Sequence, residues 1–216
     1  MDNPRHAPHY PEQIQMPQDI IRIPLVSRVN RAGIRRETLG GREHIVVSSY
    51  TLPSDVVMNG ILYPAKEINA HYKKLEGTLA PFGHPIDDAG EFISARTPLA
   101  INAFHVGAFN RNVEQKGNRI HVEKWIDVIT ANSTPNGKRL VERLEAMERG
   151  EDSEPIDTSV ALLIRELPPT VEQQEAKIRA VANIVDIDHD AILMDEIGAA
   201  RPSQGVGLMV NVDQAV

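Results

Sequence analysis

Fifteen prolines and 14 glycines are distributed along the whole chain, and they constrain its fold more than any single motif does. Spaced this way, they stop helices before a bundle can form and favour short elements joined by turns. The 216 residues are enough for one large domain or two small ones. Apolar residues make up 41% of the chain but aromatics only 4%, so branched aliphatics and alanine must do most of the packing.

Several stretches carry strand character. DIIRIPLVSRV (19–29) and GIRRETLGGREHIVVSSY (33–50) alternate or run apolar, with Gly40-Gly41 as a hairpin turn. VMNGILYPA (57–65) continues them, KEINAHYKKLEG (66–77) reads as a short helix closed by Gly77, and TLAPFGHP as a strand entering a turn. Residues 99–128 read as two strands joined at Gly117-Asn118. The clearest helix is 136–150, where Leu140, Leu144 and Met147 form one apolar stripe and Gly150 is placed as its C-cap. IDTSVALLIREL (156–167) is a strong strand stopped by Pro168-Pro169, and 176–194 holds one or two more. The tail GAARPSQGVGLMVNVDQAV reads as a loop and a last short strand, and residues 1–18 as a flexible arm. The balance is a single β-rich α+β domain over 19–211, with 212–216 starting a linker or tail.

Composition excludes several functions. Thirty acidic against 23 basic residues give a net charge of −7, which argues against nucleic-acid binding. Without cysteine there is no disulfide, no Cys-based zinc site and no thiol nucleophile. The absence of an apolar run near ~18 residues argues against a membrane span. A soluble, unexported protein is expected.

Three places carry candidate chemistry. In FGHPIDD, Pro85 holds His84 extended at a strand end; the alternative is a surface turn histidine. Asp87 and Asp88 lie close by, yet HPIDD has no metal-specific spacing. In IDTSVALLI, Ser159 and Thr158 must face opposite ways, so only one can enter a site, and no GxSxG elbow is present. In IDHDAIL, regular alternation puts Asp186, Asp188 and Asp190 on one face as solvated residues. His189 then shares the other face with Ile187 and Ala191. His6, His9, His44, His71, His105 and His121 take solvated or core-edge roles by default.

Taken together, FGHP at 82–85, the serine strand at 156–167 and IDHDAIL at 187–193 resemble the prohead maturation proteases of tailed phages, related to the herpesvirus assemblins. The hairpin 105–127, the helix before SEPIDTSVALL and the ending GAARPSQGVGLMVN are similar to that family too, so the resemblance spans roughly residues 55–211. Two departures stand out: Ser159-Val160-Ala161 lacks the family's glycine, and Asp190 replaces an apolar residue.

The resemblance implies a closed or partly closed β-barrel flanked by a few helices. It implies a serine endopeptidase with Ser159 as nucleophile, His84 as base and His189 as orienter, and no cofactor; an alignment shifted by one puts Thr158 at the nucleophile position, and an aspartate beside His189 is the alternative third member. A neutral orienter stabilises imidazolium less than a carboxylate does, so slow turnover is expected. Backbone N–H groups of Gly198–Arg201, or Arg201 itself, are candidate oxyanion donors. The implied substrates are phage scaffold and major capsid proteins, cut inside the assembling prohead in the host bacterial cytoplasm, by an enzyme that self-associates. Val216 closely follows the expected last strand, which suggests a trimmed or self-cleaved end. Two alternatives stand: an inert capsid or scaffold component with the same fold, and a metal-dependent hydrolase using His84, Asp87, Asp88 and His189. An active serine enzyme calls for a His84 nitrogen within hydrogen-bond reach of the Ser159 oxygen.

Overall fold

The computed structural model describes residues 21–28 as backbone, and 33–152 and 156–194 in full. Its strands are β1 (Ile21–Arg28), β2 (Ile34–Leu39), β3 (Arg42–Thr51), β4 (Val56–Met58), β5 (Ile61–Tyr63), β6 (Ala108–Lys116), β7 (Arg119–Asp127), β8 (Asp157–Leu167) and β9 (Ala180–Leu193). Among them lie the helices α1 (Ala65–His71), α2 (Pro98–Phe104), α3 (Val128–Asn132), α4 (Pro135–Arg149) and α5 (Val171–Glu175). The chain is strand-rich α+β, as its turn-forming residues require.

The strands form a five-stranded sheet, β1-β8-β9-β5-β4, and a four-stranded sheet, β2-β3-β7-β6. All strand pairings are antiparallel except β5–β9. The inner faces meet in two apolar clusters. One joins Leu52, Ile120 and Val122 of the four-stranded side to Val160, Leu162, Ile164 and Ile187 of the other. The second gathers Ile45, Val47 and Ile126 beneath Leu140, Leu144 and Met147 of α4. Thr134 caps the N-terminus of that helix by accepting from the Gly137 N–H, and Gly150 ends it in the left-handed region at φ 80°.

Hydrogen bonding among the described residues closes no barrel. One side is nevertheless strapped together by Thr78–Gly83. The Ala80 N–H donates to the Ala108 carbonyl of β6, and the Gly83 N–H donates to the Ile192 carbonyl of β9. This strap occupies the edge of β9 beyond its short pairing with β5, with Phe82 bridging Ile192 in parallel.

Three local expectations change. Residues 99–104, read as strand, belong to α2, because Thr97 accepts from the Ala100 N–H and Pro98 opens the helix. A short apolar run does not distinguish the two states by itself. The helix expected over 66–77 is α1 followed by a 3₁₀ turn, Tyr72–Leu75. After Pro168-Pro169 the chain makes α5, signalled by a capping box between Thr170 and Gln173. The expected arm 1–18 and the tail beyond 194 lie outside the described residues.

Candidate functional site

On β8 the alternation is regular. Thr158, Val160, Leu162 and Ile164 face inward, and Thr158 lines the core beside Val47, Lys124 and Leu144. Ser159 faces the other way, opposite Ala191. It is fully buried, and its Oγ makes no hydrogen bond. The Ser159–His84 bond that an active serine enzyme needs is therefore not formed in this state.

On β9 the alternation breaks. Ala161 pairs with His189 and Leu162 with Ile187, which leaves Asp188 as an extra residue; Val185 is a second one, between the pairs of Leu163 and Ile164. A bulge re-aims the side chains that follow it. Ile187 thus enters the inner core, while His189 turns outward onto the face of Ser159, one diagonal step across the ladder. Such diagonal neighbours sit about 7–8 Å apart.

This overturns the regular-strand reading of IDHDAIL. Ile187 and His189 do not share a face, and Asp188 and Asp190 are 3% and 0% exposed rather than solvated. Only Asp186 keeps a partly exposed place, pairing with Arg96 at 3.1 Å and Lys74 at 3.7 Å.

The bulge is held from outside by Ser94–Arg96. The Ser94 hydroxyl donates to Asp188 Oδ1, and the Ala95 N–H donates to Oδ2 at 2.8 Å. Arg96 donates to the Ile187 carbonyl at 2.8 Å, satisfying a group in the disrupted ladder.

His84 follows the strap and meets this cluster. Its Nδ1 lies 2.9 Å from His189 Nε2, and His189 Nδ1 lies 2.7 Å from Asp188 Oδ2. Phe92 stands edge-on to the His84 ring at 5.6 Å. Phe92 is bridged to Ile86 across a tight hairpin whose Asp87 carboxylate accepts from the Ala89 and Glu91 N–H groups.

Charge fixes the direction of the hydrogen bonds. Burial works against ionising Asp188, but hydrogen bonds from His189, Ser94 and the Ala95 N–H outweigh it and hold its carboxyl well below the usual range. An ionised Asp188 only accepts, so His189 carries a proton on Nδ1; with both imidazoles neutral, His189 Nε2 then accepts from His84 Nδ1–H. The remaining His84 nitrogen, Nε2, then carries a lone pair. That is the tautomer a general base requires.

Behind β9, on the inner face, a second polar group is buried. Lys124 donates to Asp190 Oδ2 at 2.8 Å and to Asn110 Oδ1 at 2.9 Å. Burial pushes the Lys124 ammonium below its ordinary range, with Asp190 opposing that.

The structure thus brings His84 and His189 together and sets Ser159 on their face of the sheet. Ser94 and Lys124 escaped the sequence reading, and Asp188, read there as solvated with an aspartate only the alternative third member, joins the cluster. A doubly acidic DHD flank was the available signal for Asp188, but strict alternation sent it to solvent. Gly198 and Arg201 lie outside the described residues. Among those described, no group of three His, Asp or Glu side chains is arranged to hold a metal ion, so the metal-dependent alternative gains no support there.

No family model matches the chain, and no curated protein does. Among solved structures, the chain is similar to the bacteriophage T4 capsid assembly protease gp21, with a TM-score of 0.49 and 12% identity over 80% of this chain and 98% of that one.

Proposed function

We propose that the chain is a serine endopeptidase of the prohead-maturation type, cutting scaffold and major capsid proteins inside an assembling phage head. The observation that carries the reading is the bonded series His84–His189–Asp188 on the sheet face that also bears Ser159. The resemblance of FGHP, the serine strand and IDHDAIL to those proteases supplies the substrate class. On this reading the two sheets and the strap are parts of an incompletely closed barrel.

Ser159 attacks the scissile carbonyl and gives its proton to His84 Nε2, which returns it to the leaving amine. His189 fixes the His84 tautomer, and the Asp188 carboxylate stabilises the imidazolium through it. Backbone donors at Gly198–Arg201 are the proposed oxyanion site. Catalytic hydrogen bonds are often long in a free enzyme and tighten with substrate, so binding must bring Ser159 and His84 together.

A second reading is favoured by the buried, unbonded Ser159 oxygen: an inert capsid or scaffold component keeping the protease fold. Treatment with a fluorophosphonate probe, followed by peptide mapping, separates the two. The protease reading expects label on Ser159 and cleavage of co-expressed scaffold and coat proteins. Absence of both, in a folded protein, establishes the inert component.

A further inference from the structure

The buried Lys124–Asp190 pair is unexplained by packing alone. Removing two charges from water is costly, and a well-packed apolar pair of similar volume commonly does as well or better for stability. Buried polar groups are best attested as register devices, and this one lies directly behind the bulge. If β9 kept Ile187 in the core but lost its extra residue, His189 would turn inward and Asp190 outward. Lys124, 1% exposed, would then be buried without its carboxylate. Only the bulged register satisfies Lys124.

The same lysine reaches the other histidine-bearing segment. Its second partner, Asn110, donates from Nδ2 to Thr78 Oγ1 at 3.0 Å and to the Leu79 carbonyl at 2.9 Å, at the start of the strap that leads to His84. The Asn110 N–H also donates to the Thr78 carbonyl at 2.8 Å. One buried ammonium therefore links the residue after His189 to the strap before His84.

We propose that Lys124, Asp190 and Asn110 form a positioning device: they hold β9 in its bulged register and tie the His84 strap to it, so that the two imidazoles meet. Its link to turnover rests on the protease reading; its effect on the imidazoles does not.

The test compares wild type, Lys124→Met and Lys124→Met/Asp190→Leu by thermal unfolding, by NMR of the imidazole N–H protons with ¹⁵N-labelled histidine, and by the rate of Ser159 acylation with a fluorophosphonate. The double variant is expected to unfold no lower than the single one, because no charge is left buried alone. It is also expected to lose the His84 Nδ1–H signal and to slow acylation about 10²-fold, the usual cost of a small misplacement. A folded double variant with both imidazole protons and the wild-type acylation rate overturns the proposal. Should that variant not fold, Asn110→Ala decides: the strap keeps its backbone bonds to Ala108, Asn110 and Ile192 but loses its side-chain tie to Lys124, so the His84 proton should exchange faster and weaken while the His189–Asp188 proton is kept. Retention of both at wild-type strength overturns the proposal. If the wild type neither reacts with the probe nor cleaves scaffold and coat proteins, the protease reading falls, and the imidazole spectra still decide the positioning role.

Discussion

β8 and β9 are neighbours in one sheet and each carries a candidate site residue, yet they are built on different rules. β8 runs 11 residues without interruption. β9 needs Val185 and Asp188 in addition to cover the same ladder. On β8 the side chains alternate, and the position of Ser159 follows from that alone. On β9 each bulge resets the alternation, and the second one places a carboxylate directly behind His189. The regular strand sets the Ser159 hydroxyl on the face of the histidines. The irregular one assembles a hydrogen-bonded series from adjacent residues that a regular strand would have sent to opposite faces.

The comparison breaks first if the faces of β8 are wrong. On the proposed protease reading, Ser159→Ala is expected to lower cleavage of scaffold protein by at least about 10⁴-fold, the scale for loss of a nucleophile. Thr158→Ala, on the inner face, should keep activity within about tenfold and cost roughly 1 kcal/mol in urea unfolding, through lost packing and a lost hydroxyl. The opposite outcome would make Thr158 the nucleophile and place the site between the sheets.

His189→Ala tests the outward turn after the bulge. Its loss should lower activity by about 10³-fold, less than Ser159→Ala, because oxyanion donors and substrate binding survive removal of an orienting group. The pH–rate profile should change as well, since His84 loses the acceptor that fixes its tautomer. A drop in activity with an unchanged profile would leave His189 a packing residue.

How far the sequence reaches follows the same division. Gly40-Gly41, the stripe Leu140, Leu144 and Met147, and Gly150 are local signals, and the hairpin and α4 stand where those signals put them. The α2 segment misled because apolar runs such as Pro98–Phe104 satisfy either period. Asp188 misled for a deeper reason. A bulge is fixed by what packs on the two faces of its strand, here Lys124 of the facing sheet, some 60 residues earlier, and the Ser94–Arg96 segment. No window around IDHDAIL contains those partners.

Asp188→Asn sharpens the comparison because it leaves the bulge in place. A carboxamide oxygen in the Oδ2 position can still accept from His189 Nδ1–H and the Ala95 N–H. Its NH₂ would face Ser94, whose hydroxyl can turn to accept. The tautomers of both imidazoles are then preserved and only the negative charge is lost. The expected loss is about 10²-fold, on the scale of one electrostatic stabiliser of the transition state. Asp188→Leu, which cannot accept, should approach His189→Ala. Equal activity in Asp188→Asn and wild type would show that His189 works as a neutral orienter without the carboxylate.

The smallest expected effect is on acid stability, and it too separates the strands. The Asp188 carboxyl titrates below its ordinary value of 3.8 in the folded protein. Its stabilisation is therefore complete above about pH 4 and is lost as the pH falls from there through the folded value. Compared with Asp188→Asn, wild type should be more stable by on the order of 2 kcal/mol at neutral pH. That difference should shrink steadily below pH 4 in urea titrations. Glu123, held down to about 2 by Arg35, Asn112 and Trp125 against the cost of its burial, adds the same slope to both proteins and cancels. Ser159→Ala, on the regular strand, changes no titrating group, so its difference from wild type should stay flat over the same range. A flat Asp188 difference would mean that its carboxylate gains nothing from Ser94, Ala95 and His189 on folding, and the bulge would lose its electrostatic reason.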